Sequence, residues 1–352
     1  RGRVEHTTVE LLERTADRID AFAEAQRRSL VDLKVPVPGG IAGHSVAPVD
    51  RAGCYAPGGR YPLPSSVLMT AVAARTAGVA EVWVASPRPA LVTLAAAAVA
   101  GADAVLAVGG AQAIAALAYG TDSVPACDVV VGPGNRWVTA AKKLVAGDVG
   151  IDMLAGPSEL VVLADETADP AVVAADLLAQ AEHDPDALPV LVTLSSALLQ
   201  AVETELERQL ADLPTRTVAE AALDHGYAVH AADLDAAIHV CDALAPEHLQ
   251  VLTEDAHAVA ERLSQWGGIF IGPTSAEVFG DYGAGPNHTL PTGGAARFTG
   301  GLSVFDFLRV RTWLKLEPGE GAVEMAEDAA ALARLEGLEA HARAAERRIR
   351  DS

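Results

Sequence analysis

Apolar positions recur at two different spacings along the chain, and the change of spacing separates its segments. Over residues 7–32 they recur every three or four residues, which predicts an amphipathic helix capped by Thr7 or Thr8. A turn is predicted at VPGG. Beyond it, short apolar runs alternate with Ala-rich helical stretches; the runs are EVWVAS, AVLAV, DVVVG, LVVLAD and PVLVTL. This alternation is typical of parallel α/β layers.

The second half of the chain repeats this pattern and then changes. A helix and a connection are predicted over 196–222, and a further βα pattern over 228–272. Residues 280–303 are rich in Gly, Pro and Thr, which predicts a long irregular segment. A last helix is predicted over 321–350, acidic early and basic late, as the helix dipole favours.

These elements predict an α/β fold with two Rossmann-like parallel-sheet domains and extra helical segments. The two similar halves lie near residues 53–150 and 155–275. We place the domain boundaries as an N-terminal helix at 1–40, a first Rossmann-like domain at 41–150, a second at 151–275, and a Gly-rich loop with a C-terminal helix at 276–352.

Composition excludes some classes of protein. The 352 residues carry a formal net charge of −21, which argues against nucleic-acid binding. No transmembrane helix or signal peptide is visible. Three cysteines without a CxxC pair make a disulfide framework improbable, so we expect a reduced, cytoplasmic protein. The first residue is Arg rather than Met, so we expect an incomplete N-terminus.

Glycines mark four of the predicted strand ends: YAPGGRYP, VGGAQAI, VGPGN and LAGPSE. None of them is a GxGxxG fingerprint. Glycines at the carboxyl ends of parallel strands are typical of ligand-binding loops. Ordinary αβ turns explain the same pattern, and the pattern alone favours them.

A metal site is one of two interpretations of the scarce histidines. The stretch LLAQAEHDPDALP ends a predicted helix, and Gln180 and His183 share one face of it because they are three residues apart. With Asp281 and His341 they would supply two nitrogen and two oxygen ligands. The alternative is that the histidines decorate helix ends and that Asp281 caps a turn.

Glu247 and His248 are a candidate acid/base pair, since His titrates at a pKa of about 6.5 and a nearby carboxylate can activate water. A surface Glu beside a packed His explains the same two residues. His288 follows Pro-Asn in the Gly-rich segment, where core packing does not readily account for a histidine.

Eight motifs run in the order seen in the histidinol dehydrogenase family, and the resemblance covers about residues 40–345. The motifs are YAPGGRYPLPSSVLM, GGAQAIAALAYGT, VGPGN, GIDMLAGPSELVVLADETA, DLLAQAEHDP, APEHL, GDYGAGPNHTLPT and LEGLEAH. The resemblance implies a zinc- and NAD-dependent enzyme that oxidises L-histidinol through histidinal to L-histidine, in histidine biosynthesis. It also implies an intertwined homodimer with one Zn²⁺ per subunit.

The resemblance also assigns roles to individual residues. Glu247 and His248 match the acid/base pair, with His248 taking the hydroxyl proton and Glu247 activating water for the second oxidation. The NAD contacts match Tyr55, Gln112 and Asn135. The zinc ligands match Gln180, His183, Asp281 and His341. The substrate contacts match Ser158, Gln180, His183, His248, Asp281, His288, Glu336 and His341.

In this family the C-terminal helix completes the active site of the partner subunit, so the resemblance implies that Glu336 and His341 act in trans. They are five residues apart, about 140° around an ideal helix. We therefore expect Gly337 between them to relax the helix.

The chain departs from the family pattern in three places. It lacks most of the expected N-terminal segment, and the spacing between Gly59 and Tyr61 is shorter than usual. The segment TGGAARFTGGLSVFDFLRVRTW also resembles the sulfopropanediol dehydrogenases, which are the alternative within this enzyme class. A non-catalytic zinc-binding relative and a metallohydrolase are further alternatives. Ser158, the zinc set and the Glu247–His248 pair are all retained, which favours the histidinol enzyme. A metallohydrolase would not need Tyr55, Gln112 and Asn135.

Overall fold

The computed structural model describes residues 4–58 and 61–348, so the predicted short spacing at Gly59 lies partly outside the described residues. The helices are α1 His6–Ser29, α2 Pro64–Ala77, α3 Leu91–Val99, α4 Gly110–Tyr119, α5 Arg136–Val145, α6 Pro170–Ala181, α7 Ser196–Leu210, α8 Arg216–Leu223, α9 Leu234–Leu244, α10 Ala256–Ala260, α11 Glu277–Asp281, α12 Glu320–Leu335 and α13 Glu339–Glu346. The strands are β1 Leu33–Val37, β2 Gly40–Pro48, β3 Arg51–Tyr55, β4 Glu81–Ala85, β5 Ala104–Leu106, β6 Val129–Val131, β7 Gly150–Ile151, β8 Glu159–Ala164, β9 Leu188–Thr193, β10 Tyr227–His230, β11 His248–Leu252, β12 Gly268–Ile271 and β13 Leu308–Leu316. Two short 3₁₀ turns lie at Ala295–Arg297 and Val304–Phe307.

Two parallel five-stranded sheets form the larger compact unit, and both have the same topology. The strand orders are β5-β4-β3-β6-β7 and β10-β9-β8-β11-β12, which is 3-2-1-4-5 when each sheet is counted along the chain. This order is that of doubly wound dinucleotide-binding folds, in which the carboxyl ends of the first and fourth strands form the switch point. The predicted α/β class with two parallel sheets is confirmed. The predicted domain boundaries stay predictions.

The central strands of each sheet are buried and apolar on both faces, as is typical of parallel sheets. In the first sheet, Ile114 and Leu117 of α4 and Val138 of α5 pack on Tyr55 and Val130. In the second, one face packs against α9 and α10 around Cys241 and Leu249, and the other against α6 and α7.

The smaller compact unit comprises Arg28–Pro48 and the chain from Leu308 onward. Its three strands form an antiparallel sheet in the order β1-β2-β13, with Val35, Ala42 and Leu314 in one cross-strand row. From the sequence we predicted only the turn at VPGG. Strand β13 was missed because its partner β2 lies about 260 to 276 residues earlier in the chain, and a local pattern carries no information on such a pairing.

Two helix predictions need correction. Helix α1 begins at His6, so Thr7 and Thr8 lie inside its first turn and do not cap it. The predicted last helix is two helices, because α12 ends at Leu335 and α13 begins at Glu339. Gly337 has φ +77° and closes α12, with its N–H donating to Arg334 O and that of Leu338 to Ala333 O. This is a Schellman-type end, which needs a residue in the left-handed region.

The irregular segment that was predicted over 280–303 is present and belongs to the larger unit. Two hydrogen bonds connect it to helices α1 and α2. Arg18 of α1 donates to Gly283 O over 2.6 Å, and Asn287 donates to Met69 O over 2.7 Å. Among the described helices, none is long and apolar enough to cross a membrane.

Candidate active site

The amino ends of β8 and β11 bring three predicted site residues together. Ser158 immediately precedes β8, and Glu247 and His248 stand at the start of the neighbouring strand β11. Ser158 Oγ donates to Glu247 Oε2 over 2.6 Å, and the Glu159 N–H donates to the same oxygen over 3.0 Å. Strand pairing therefore fixes the Glu247 carboxylate, although the residues are far apart in sequence.

Glu247 is buried, and its electrostatics follow from that. Burial raises the pKa of Glu247 to about 8, although the two hydrogen bonds from Ser158 and Glu159 act in the opposite direction. A carboxyl group with a pKa near the working pH can both take up and release a proton, which is the property of a general acid/base.

His248 and His288 form a buried, stacked pair. Their ring centroids are 4.6 Å apart, and their Nε2 atoms are 3.1 Å apart. His248 Nδ1 lies 2.8 Å from Glu159 O, a carbonyl that can only accept, so we assign the ring proton to Nδ1. Burial, and then the charge of His288, lower the pKa of His248 to about 3. His248 is therefore a neutral imidazole whose Nε2 carries no proton.

Asp281, the last residue of α11, meets two histidines from different segments. His183 Nε2 lies 3.3 Å from Asp281 Oδ2, and His288 Nε2 contacts Asp281 Oδ1. Burial would raise the pKa of Asp281, but the hydrogen bond from His183 and the neighbouring histidines lower it. Burial would lower the pKa of His183, but Asp281 raises it. Gly280 permits this approach, because a Cβ there would lie 3.0 Å from His288 Nδ1.

Gln180 lies in the last turn of α6 and is completely buried. Neither its Oε1 nor its Nε2 has a hydrogen-bond partner in the described part of the chain. A buried amide without partners is destabilising by about 1–3 kcal/mol. The two amide atoms therefore indicate a binding site for a polar ligand or metal ion.

Glu277 is a site residue that the sequence analysis missed. Its side chain is 1% exposed, and its Oε1 lies 3.8 Å from His248 Nε2 and 3.9 Å from His288 Nε2. Burial and the charge of Asp281 raise the pKa of Glu277 to about 8. The signal that could have found it is an acidic residue four positions before Asp281, on the same face of a helix.

Four residues of the site each offer one possible metal-ligand atom, and these atoms lie within 4.8 Å of one another. The residues are His248, Glu277, Asp281 and His288. This set shares only Asp281 with the predicted zinc ligands. His183 is connected to this set through its contact with Asp281. Gln180 lies in the last turn of α6, and His183 follows that helix by two residues.

The predicted cofactor residues lie at the carboxyl ends of the first sheet. Tyr55 ends β3, Gln112 is in the first turn of α4 after β5, and Asn135 caps α5 after β6. Tyr55 Oη accepts from the Gly110 N–H over 3.1 Å, which joins two of these loops. Three of the four glycine motifs are thus at carboxyl ends, whereas LAGPSE runs into the amino end of β8.

Glu336 and His341 belong to the smaller unit. Glu336 caps the end of α12, His341 is on α13, and both residues are exposed. Their assignment to the substrate and the metal stays a prediction.

Comparisons with known proteins agree on one family. The family model described as histidinol dehydrogenase matches residues 1–349. The histidinol dehydrogenase of Thermus thermophilus is 52% identical over 335 residues, which are 94% of this chain and 80% of that protein. That of Methylococcus capsulatus is 47% identical over 345 residues, 96% of this chain and 78% of that protein.

Solved structures give the same result. The crystal structure of histidinol dehydrogenase from Elizabethkingia anophelis matches with a TM-score of 0.94 and 33% identity, over 99% of this chain and 82% of that one. An acetylating aldehyde dehydrogenase from Geobacillus thermoglucosidasius matches with a TM-score of 0.55 and 15% identity, over 89% of this chain and 91% of that one, which shows a related fold only. The chain is an enzyme of the histidinol dehydrogenase family, a family of NAD-dependent oxidoreductases.

Proposed function

We propose that the chain oxidises L-histidinol to L-histidine through histidinal, with two molecules of NAD, in an active site completed by a bound Zn²⁺. The observation that carries this proposal is the buried cluster in which Glu247, His248, His288 and Asp281 converge. It supplies a neutral imidazole base and a carboxyl group of raised pKa within one site. Two successive oxidations of one carbon each release a proton, first from the alcohol and then from the attacking water, and these two groups can accept them.

A zinc ion would bind beside this cluster, at the ends of α6 and α11. We propose Gln180, His183, Asp281 and His341 as its ligands, two nitrogen donors and two oxygen donors. The support is that both amide atoms of the buried Gln180 lack partners and that His183 and Asp281 already lie 3.3 Å apart. When bound, Zn²⁺ would act as a Lewis acid that holds the substrate and favours loss of its hydroxyl proton.

His248 would accept the hydroxyl proton in the first oxidation. Its Nδ1 proton is engaged by Glu159 O, which leaves Nε2 as the basic atom. Nε2 faces His288, so a proton taken from the substrate hydroxyl can be shared within the stacked pair. We propose His288, together with Ser158 and Glu336, as substrate contacts.

Glu247 would activate water in the second oxidation. Ser158 and Glu159 both donate to Oε2. The carboxylate is therefore oriented, and its other oxygen can take a proton from the water that attacks the aldehyde. A buried site also keeps the aldehyde from bulk water between the two steps.

We propose that Tyr55, Gln112 and Asn135 contact NAD, which accepts the hydride when bound. The support is their position at the carboxyl ends of β3, β5 and β6, around the switch point of a 3-2-1-4-5 sheet.

We further propose that the enzyme is a homodimer with shared sites. The smaller unit presents one sheet face of exposed apolar side chains, which include Leu33, Val35, Val310 and Leu314 at 44–58% exposure. An exposed contiguous apolar face of this kind is typical of an association surface. A second copy of the chain would bury it and would bring His341 and Glu336 to the partner's site.

The function is tested by loading the protein with Zn²⁺ and following NADH formation with L-histidinol. We expect two NADH per histidinol and loss of turnover on chelation. Turnover of 2,3-dihydroxypropane-1-sulfonate without turnover of histidinol would contradict the proposed substrate. The proposed zinc- and NAD-dependent alcohol oxidation would still be supported. One NADH per histidinol, with release of the aldehyde, would contradict the role of Glu247.

A further inference from the structure

A buried ion pair stands directly behind one of the proposed cofactor loops. Lys142 of α5 contacts Asp152, which follows β7, and their side chains are 3% and 0% exposed. Both groups also bind Gly132, the residue after β6: Lys142 Nζ donates to Gly132 O over 3.0 Å, and the Gly132 N–H donates to Asp152 Oδ2 over 2.8 Å. The pair therefore holds both backbone polar groups of a single glycine.

Gly132 occupies a strained and crowded position. It has φ +111°, and a Cβ at this position would lie 2.0 Å from Tyr55 O. Only glycine fits a left-handed conformation pressed against another backbone. Lys142 and Asp152 hydrogen-bond to both backbone polar groups of Gly132 in this conformation.

The conformation of Gly132 determines the path of the loop that connects β6 to α5. Three residues later Asn135 caps α5, and its side chain accepts from the Trp137 and Val138 N–H groups. Lys142 lies two turns along the same helix and reaches back to Gly132, so it closes the loop 132–135 against α5. On the other side, Tyr55 contacts Gly132 through its backbone and Gly110 through its hydroxyl.

We propose that Lys142 and Asp152 are positioning residues for NAD: they fix Gly132, and through it the relative placement of Tyr55 and Asn135 at the switch point. This inference rests on the proposed NAD contacts of those two residues. Neither Lys142 nor Asp152 touches the cofactor in this proposal, and neither takes part in the proton transfers.

A purely structural role makes a different forecast from a positioning role. Removing one member leaves a buried charge unpaired and destabilises the protein, whereas replacing both with apolar groups of similar size is often neutral for stability. The double replacement therefore separates the two roles. It restores folding, but the two hydrogen bonds to Gly132 remain absent.

The test compares Lys142→Met, Asp152→Asn and the double variant Lys142→Met/Asp152→Leu in the full chain loaded with Zn²⁺. We expect the single Lys142→Met variant to lose thermal stability and the double variant to recover most of it. In the double variant, the Kd for NADH from its fluorescence should rise at least about tenfold, the equivalent of about 1.4 kcal/mol. The KM for NAD should rise likewise, while kcat at saturating NAD and the KM for histidinol stay within about twofold. We expect a smaller rise for Asp152→Asn, which keeps one acceptor for Gly132.

Arg75 offers a matched control. It contacts Asp103 and donates to Gly101 O and Val79 O at the opposite, amino end of the same sheet. Arg75→Met should lower stability and leave the Kd for NADH unchanged.

Three outcomes would count against the inference. An unchanged Kd in a folded double variant overturns it and leaves the proposed function standing. An equal rise in the Arg75→Met variant also overturns it, because general loosening of the sheet would then explain the effect. Failure of the wild-type protein to bind NADH overturns the proposed function, and the inference with it.

Discussion

At the scale of single residues, the site is marked by polar atoms that are buried without partners. Gln180 and Glu277 together contribute four of the nine buried side-chain atoms that lack a hydrogen-bond partner within the described residues. Folded proteins satisfy most buried polar atoms because each unsatisfied one is destabilising. Stability alone does not account for these residues, so they indicate a ligand that the protein is built to receive.

Replacing Gln180 with Leu should therefore have opposite effects with and without metal. The metal-free variant should be at least as stable as the wild type, by up to about 1–3 kcal/mol, because two unpaired atoms are removed. Zinc should stabilise the wild type in chemical denaturation and stabilise the variant much less. Gln250→Leu is the control: Gln250 Oε1 also lacks a partner, but its Nε2 donates to Ser275 O over 2.9 Å, so its loss should destabilise the protein and leave the zinc response intact. A clear loss of stability in metal-free Gln180→Leu would contradict the assignment.

Glu247 gives a prediction about pH. The pKa of this group is raised to about 8, so the carboxylate that serves as a base is scarce below that pH and grows as the pH rises through it. With histidinal as substrate, the wild-type rate should rise through about pH 8, whereas Glu247→Gln should lack this rise and be about 10²–10⁴-fold slower. Stopped-flow measurement of NADH from each substrate separates the two oxidations. A Gln variant that keeps the same pH profile would show that another group is the base.

At the scale of elements, the second sheet carries its proposed catalytic residues at the amino ends of its strands. Ser158, Glu247 and His248 lie at the amino ends of β8 and β11. The last turn of α6, which contains Gln180, lies at the same end of the sheet. The first sheet keeps its proposed cofactor residues at the carboxyl ends. Two sheets of the same topology thus use opposite edges, so topology alone does not locate the site.

The break between α12 and α13 depends on Gly337. Because its φ is +77° and no atom crowds its Cβ position, a side chain there meets backbone strain and no clash. Gly337→Ala should lower the free energy of unfolding by about 1–2 kcal/mol, and Gly337→Asn by less, since Asn tolerates the left-handed region. Urea titration measures both. Equal effects of the two variants would argue against strain as the cause. The break also removes the difficulty that one continuous helix would point Glu336 and His341 about 140° apart.

At the scale of the whole molecule, the three-stranded sheet has two unlike faces. One face carries Val35, Val310 and Leu314, and the other carries Lys34, Arg311 and Lys315 together with Ile41 and Trp313. A charged face suits solvent, whereas an exposed apolar face suits a partner. The proposed partner is a second copy of the chain.

Leu314→Glu should weaken dimer formation, because it places a charge in the middle of the apolar face, where Leu314 is 58% exposed in the single chain. Sedimentation velocity should show a shift towards monomer, with loss of activity in parallel if the sites are shared. Arg311→Glu changes the charge on the opposite face and should leave association unchanged. A monomeric Leu314→Glu variant with full activity would contradict shared sites.

The sequence by itself determined the parts that depend on local pattern and on residue order. Alternating apolar runs and Ala-rich helices gave the α/β class, and eight ordered motifs gave the family. Both depend on short stretches of chain, whose spacing a single sequence displays.

Tertiary structure decided what depends on distant residues meeting. The pairing of β2 with β13, the donation of Ser158 to Glu247, and the place of Glu277 between two histidines join segments that are up to about 270 residues apart. The hold of Lys142 and Asp152 on Gly132 likewise became visible only in the fold. Burial also depends on the fold: the pKa of Glu247 rises to about 8 because the surrounding chain removes its carboxyl group from water.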